Sequence, residues 1–137
     1  MSRQTSEVQL IADLNPSSYI SEAYRTLRTN TQFATAAKDA KVVCIVSCGQ
    51  AEGKTTTAAN LAITFAQEGK KTLLIDADMR NPGQHKSFAA MNRKGLSSYL
   101  ASQCELGQAL VQPHVEHLTL LPAGHVPPNP AELLGTK

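Results

Sequence analysis

The apolar positions change period along the chain, and each change marks an element. Ile20, Ala23, Tyr24, Leu27, Thr31 and Ala34 recur at helical spacing, which predicts a helix over about 18–37 with Glu22, Arg25 and Arg28 on the opposite, solvated face. Asn15-Pro16-Ser17-Ser18 is a turn and helix-entry signal ahead of it. The mostly polar residues 1–15 read as a flexible N-terminal arm. The β-branched run 42–47 predicts a strand, and Ala58, Leu61, Ala62, Phe65 and Ala66 form the buried stripe of the next helix, which stops at Gly69. Residues 72–76 predict a second buried strand. Strand, crossover helix and strand make a βαβ unit, so the sheet is expected to be parallel with a right-handed connection. Beyond Asn81-Pro82-Gly83 the pattern is that of a loop to about Lys94. Two short helical stretches (96–102 and 105–112), a third strand (118–121) and a helix entered through Asn129 and Pro130 follow.

Composition narrows the class. The 137 residues carry 13 Lys and Arg against 11 Asp and Glu. The charges are interspersed, so there is no basic stripe and nucleic acid is not implied. The run 42–46 is far shorter than the roughly 20 apolar residues that span a bilayer, and the polar start lacks a signal-peptide core. No direct membrane insertion is expected, and the chain reads as cytoplasmic. Three cysteines without paired spacing fit a reducing compartment. His114 and His117 have no accompanying Cys or carboxylate cluster and read as a solvated turn rather than zinc ligands.

The chemistry sits at the strand ends. Gly49, Gln50, Ala51, Glu52, Gly53, Lys54, Thr55 and Thr56 link the 42–47 strand to an Ala-rich helix, the layout of a phosphate loop. Such a loop turns consecutive N–H groups into a concave nest, and the helix adds unpaired donors and its positive dipole end. Lys54 would reach the β- and γ-phosphates and the Thr55 hydroxyl would ligate Mg²⁺. In the strict G-x-x-x-x-G-K-[ST] register the first glycine position is Cys48. Asp76 and Asp78 end the second strand and would share one orientation if strand geometry persisted. Two adjacent carboxylates want a cation, and Mg²⁺ suits them, although one could instead orient or deprotonate an attacking hydroxyl. Arg80 could clamp a phosphate or pair with Asp78. Ligands of open parallel sheets lie beyond the carboxyl ends of the strands, which puts the loop and residues 76–80 at one edge.

Several stretches, in this order, resemble the cytoplasmic kinase domain of the bacterial protein-tyrosine autokinases of capsule and exopolysaccharide assembly. They are Ser21-Glu-Ala-Tyr-Arg-Thr-Leu-Arg-Thr-Asn30, Glu52-Gly-Lys-Thr-Thr56 with Ala59-Asn-Leu-Ala62, Leu73-Leu-Ile-Asp-Ala-Asp-Met-Arg80, Gly95-Leu96, Pro122-Ala-Gly and Pro127-Pro-Asn-Pro-Ala-Glu-Leu-Leu134. The resemblance implies an α/β, P-loop NTPase-like parallel sheet flanked by helices, with residues 16–137 the N-terminal part of the domain. It implies a Walker A loop ending in Gly53-Lys54-Thr55 and a second acidic motif at Asp76 and Asp78, both serving ATP and Mg²⁺. It also implies a ring-like homo-oligomer joined through Glu22, Arg25 and Arg28, a membrane-anchored activator that completes the ATP site, and γ-phosphoryl transfer to clustered tyrosines of a neighbouring subunit.

Three departures accompany it. Gln50-Ala51 stands where the family carries Pro-Gly, and no Asp-Thr-Pro-Pro strand or tyrosine cluster follows, so the chain is expected to be truncated before both. A partition- or division-type deviant Walker ATPase is one alternative, although Gly49 occupies the position of its signature lysine. The other is a non-catalytic nucleotide-binding or oligomerisation module.

Overall fold

The computed structural model describes residues 10–39, 41–46 and 53–135. In chain order the elements are α1 (Ile11–Leu14), α2 (Tyr19–Ala36), α3 (Lys54–Gln67), β1 (Thr72–Ile75), α4 (Gln84–Ser87), α5 (Leu96–Leu100), α6 (Leu106–Ala109), β2 (Leu118–Leu121) and α7 (Pro130–Leu134). β1 and β2 run parallel with Thr72 opposite Leu118 and Ile75 opposite Leu121. The α/β class and the parallel sheet are therefore present. Chain reversal between the two strands takes place through α4, α5 and α6, as a parallel pair requires.

The core forms where α3 crosses the sheet. Ala59, Ile63 and Ala66 of α3 meet Leu74 of β1, Leu118 and Leu120 of β2, and Leu10 and Ala12 ahead of α2. Because α3 is covered on several sides, polar residues are enclosed too, and each finds a partner. Asn60 accepts the Ala12 N–H at 3.0 Å and donates to the Thr56 carbonyl at 2.9 Å. Thr64 donates to the Leu61 carbonyl at 2.7 Å. Leaving such a group unpaired would cost about 1–3 kcal/mol.

Four expectations need correction. Residues 10–15 are not a loose arm: Leu10 and Ala12 are buried, and the Ala12 carbonyl accepts from Gln67 Nε2 at 2.9 Å. Residues 41–46 form no strand, and Val42 and Val46 are exposed. A cavity of about 580 Å³ lies between that segment and the free edge of β1, walled by α2 and by Ala58, Leu61, Ala62 and Phe65 of α3. The expected pairing of 42–47 with 72–76 is not made across this space, and the predicted stripe of α3 faces it.

α2 is rotated from its expected face. Of the expected stripe Tyr24 and Thr31 are half-buried but Ile20, Ala23, Leu27 and Ala34 are exposed, whereas Ser21 is buried and Arg25, Arg28 and Gln32 are half-buried. Polar pairs set this face. Ser21 Oγ donates to main-chain carbonyls of Asn15 and Ile11 at 2.6 and 3.0 Å, while Ser18 caps the helix by accepting the Ser21 N–H. Arg28 donates to the Thr64 carbonyl at 2.8 Å and lies 3.0 Å from the Glu68 carboxylate, and Gln32 Nε2 donates to Glu68 at 3.0 Å. Arg28 thus clamps α2 to α3 and is not on a solvated face.

Candidate functional site

Gly53 stands at the head of α3 with φ +81°, a left-handed conformation that a side chain would strain, and it provides no side-chain cap. The next residue, Lys54, extends toward the end of β1, where its Nζ lies 3.4 Å from Asp78 Oδ2. Both side chains are about one-third exposed, at 37% and 34%, so the pair is open to solvent and to a ligand. The structure therefore brings the helix head and the 76–80 segment together at one edge of the sheet. Gly49, Gln50, Ala51 and Glu52, the remainder of the expected loop, lie outside the described residues, as does Ser47.

The two aspartates are not equivalent. Strand geometry ends at Ile75, and Asp76, 6% exposed, turns its carboxylate back onto the main chain. Its Oδ1 accepts the Asp78 N–H at 3.1 Å, and its Oδ2 accepts the N–H groups of Gly83 and Gln84 at 3.0 and 3.1 Å. Three donors on one carboxylate hold a tight loop, in which Met79 is buried. Asp78 accepts the Asn81 N–H on Oδ1 at 3.2 Å and presents Oδ2 to Lys54. The shared orientation expected from strand alternation is therefore replaced by a division: Asp76 shapes the loop and Asp78 faces the cation.

Arg80 is exposed and forms no ion pair among the described residues. Thr55 and Thr56 are half-buried in the first turn of α3. Among the described residues no three His, Cys, Asp or Glu side chains converge on a possible metal position. The oxygen donors at this edge, the Thr55 hydroxyl and the Asp78 carboxylate, are those Mg²⁺ takes when it shares phosphates and waters rather than a protein cage. The residues fit that group. His85, next to Gln84, has an imidazole held below its ordinary value by burial and by Lys86, with Asp76 acting the other way.

Sequence reasoning missed three supports of this edge. Gln84, 5% exposed, donates from Nε2 to the Thr55 carbonyl at 3.0 Å. At the end of β2, Asn92 grips Gly124 by two hydrogen bonds of 2.7 and 2.8 Å. Ser97 donates to the His125 carbonyl at 2.8 Å. The only available signal was turn chemistry at Asn81-Pro82-Gly83 and Pro122-Ala-Gly, which locates loops without saying what they hold. Of the residues expected at an interface, the exposed Glu22 pairs at 2.6 Å with the half-buried Arg25, which also donates to the Pro16 carbonyl at 2.7 Å, apart from Arg28.

A family model described as an AAA domain matches residues 40–129. The chain is 50% identical over 128 residues to the tyrosine-protein kinase YwqD of Bacillus subtilis, covering 93% of this chain and 54% of that protein. It is 42% identical to the putative tyrosine-protein kinase CapB of Staphylococcus aureus, covering 88% and 53%. The kinase domain of the Escherichia coli tyrosine kinase ETK superposes with a TM-score of 0.88 at 36% identity, over 94% of this chain and 51% of that one. The chain spans about half the length of the curated relatives it matches. These names favour the kinase reading over the partition-type ATPase.

Proposed function

The chain belongs to the AAA domain family, and from its similarity to bacterial tyrosine-protein kinases we propose that it carries the ATP-binding site of a protein-tyrosine autokinase. The observation that carries the reading is the placement of Lys54, at the head of α3, against Asp78 beyond β1. Phosphoryl transfer depends on positioning and on charge stabilisation rather than on covalent protein chemistry. The first turn of α3, which has no side-chain cap at Gly53, would supply N–H donors to a phosphate, and Lys54 an ammonium that would exchange its carboxylate partner for phosphate oxygens. The Thr55 hydroxyl and Asp78 would hold Mg²⁺, which when bound neutralises charge on the β- and γ-phosphates. Asp76, with three N–H groups on its carboxylate, keeps Asp78 in place and adds at most one further lone pair toward a metal.

The wider role is a proposal on the same footing. We infer that the protein acts in capsule or exopolysaccharide synthesis, phosphorylates tyrosines of a neighbouring copy, and works with a membrane-anchored activator. No helix among the described residues is long and apolar enough to cross a membrane. Self-association through α2 is supported by Glu22, exposed and paired with the half-buried Arg25, beside the exposed Tyr19, Ile20 and Leu27. Arg28 contributes by fixing α2 on α3. The test is incubation of the full gene product, with the cytoplasmic segment of its activator, in labelled ATP and Mg²⁺. Phosphotyrosine that disappears in Lys54→Met supports the reading, and its absence from the unaltered protein, or its persistence in the variant, overturns it.

A further inference from the structure

We propose that Gln84 is a positioning residue that couples the Asp76 loop to the first turn of α3 and so sets the distance between Asp78 and Thr55. The inference rests on the nucleotide-site reading above.

Gln84 touches both halves of the site. Its main-chain N–H donates to Asp76 Oδ2 at 3.1 Å, and its side-chain Nε2 donates to the Thr55 carbonyl at 3.0 Å. One residue therefore bridges the loop that carries Asp78 and the turn that carries Lys54 and Thr55. Gly83 completes the bridge: a Cβ there would come within 3.1 Å of both Thr55 Oγ1 and Cγ2, so the loop already lies against the threonine side chain. The choice of glutamine is itself informative. The side chain is 5% exposed, and its Oε1 is buried with no hydrogen-bond partner among the described residues. Burying an unpaired amide oxygen is unfavourable, and an apolar side chain of similar volume would avoid it. What an apolar side chain would not supply is the N–H donor to Thr55. That donor holds the head of α3 in register with Asp78, the register that shared metal coordination demands, because Mg²⁺ accepts little departure from octahedral geometry.

Gln84→Met keeps volume and removes the donor. Titration with ADP in the presence and absence of Mg²⁺ separates its effects, since Lys54 and the helix head act without the metal while Thr55 and Asp78 act through it. The expected result is about a tenfold loss of the Mg²⁺-dependent gain in affinity, with metal-free ADP affinity changed by less than about threefold. An unchanged Mg²⁺ gain overturns the coupling role, and so does an equal loss in both titrations, which marks a structural role alone. Absence of ADP binding by the unaltered chain instead overturns the site reading beneath it. Should the variant not fold, the unaltered protein decides. The Gln84 side-chain NH₂ protons should resist exchange and shift when Mg²⁺ is added to the ADP-bound protein, and signals that do not respond contradict the proposal.

Discussion

Lys54 Nζ lies 3.4 Å from Asp78 Oδ2, while Asp76, two residues earlier, gives its carboxylate to three main-chain N–H groups. The two aspartates should therefore separate on mutation. Asp76→Ala strips three donors of a buried acceptor and is expected to destabilise the fold by about 2–4 kcal/mol. Asp78→Asn should cost no more than about 0.5–1 kcal/mol, since its exposed pair with Lys54 is worth little, yet it should reduce Mg²⁺-nucleotide affinity. Chemical denaturation alongside calorimetric titration checks both, and equal stability losses would contradict the division.

The helix pair α2–α3 supports a second contrast. Arg28, with 16% of its side chain exposed, holds Thr64 and Glu68 of the neighbouring helix. Arg28→Ala should lower stability by about 1–2 kcal/mol through loss of a charge-assisted hydrogen bond. Glu22→Ala, at a side chain 68% exposed, should cost less than about 1 kcal/mol and act on assembly instead. Light scattering and melting of both variants distinguish them; an assembly defect in the Arg28 variant alone would assign the interface the other way.

These contrasts show what was legible in the sequence. The long amphipathic runs gave α2 and α3, the apolar strands 72–75 and 118–121 were legible from composition, and Gly53-Lys54-Thr55 marked the edge proposed here for the nucleotide. The orientation of α2 was not, because its packed face is chosen by Ser21, Arg28 and Gln32, whose partners Asn15, Thr64 and Glu68 become neighbours only after folding. Within the described residues 42–46 the expected strand is absent for a related reason. A β-branched run specifies strand propensity, but a strand also needs a partner edge, and here a cavity separates it from β1. The roles of Asp76 and Gln84 depend on a loop that doubles back, which periodicity does not encode.

Acid should destabilise the protein in two steps. His85 is held below the ordinary imidazole value of 6.5, first by burial and then by Lys86. Its protonation thus favours the unfolded chain, and stability present above about pH 6.5 falls as the pH drops toward the depressed value. The Gln32 hydrogen bond, followed by Arg28 and Lys70, lowers the Glu68 carboxyl from 4.5 against the opposing effect of burial. Its contribution is present above about pH 4.5 and lost below. Melting curves across pH should show both slopes, with His85→Gln flattening the upper one and Glu68→Gln the lower.

The open edge of β1 predicts an exchange pattern. Thr72 and Asp76 donate to His117 and Leu121 on the β2 side, so by alternation the N–H groups of Leu73 and Ile75 face the cavity edge, where no strand pairs with them among the described residues. In residues 1–137 alone, Leu73 and Ile75 should exchange at least about tenfold faster than Leu74, which faces β2. Uniform protection measured by NMR would show that the edge is covered.

Gly95 tests how the end of β2 is built. A Cβ there would lie 2.3 Å from the Pro122 carbonyl oxygen and 2.4 Å from Gly124 N, both main-chain atoms. Gly95→Ala must therefore push the two segments apart, and a loss of about 2–4 kcal/mol is expected. A denaturation midpoint unchanged from the parent would contradict the close approach.

Calorimetric titration of ADP with Mg²⁺ into the unaltered chain and into Lys54→Met bears most directly on the nucleotide site itself. Lys54 is the side-chain cation at the head of α3, and its removal takes that ammonium away from the phosphates. The unaltered chain should bind, and the variant should bind at least about tenfold more weakly while melting at a similar temperature. Equal affinity of the two forms would contradict the assignment of the Lys54–Asp78 edge as the phosphate site.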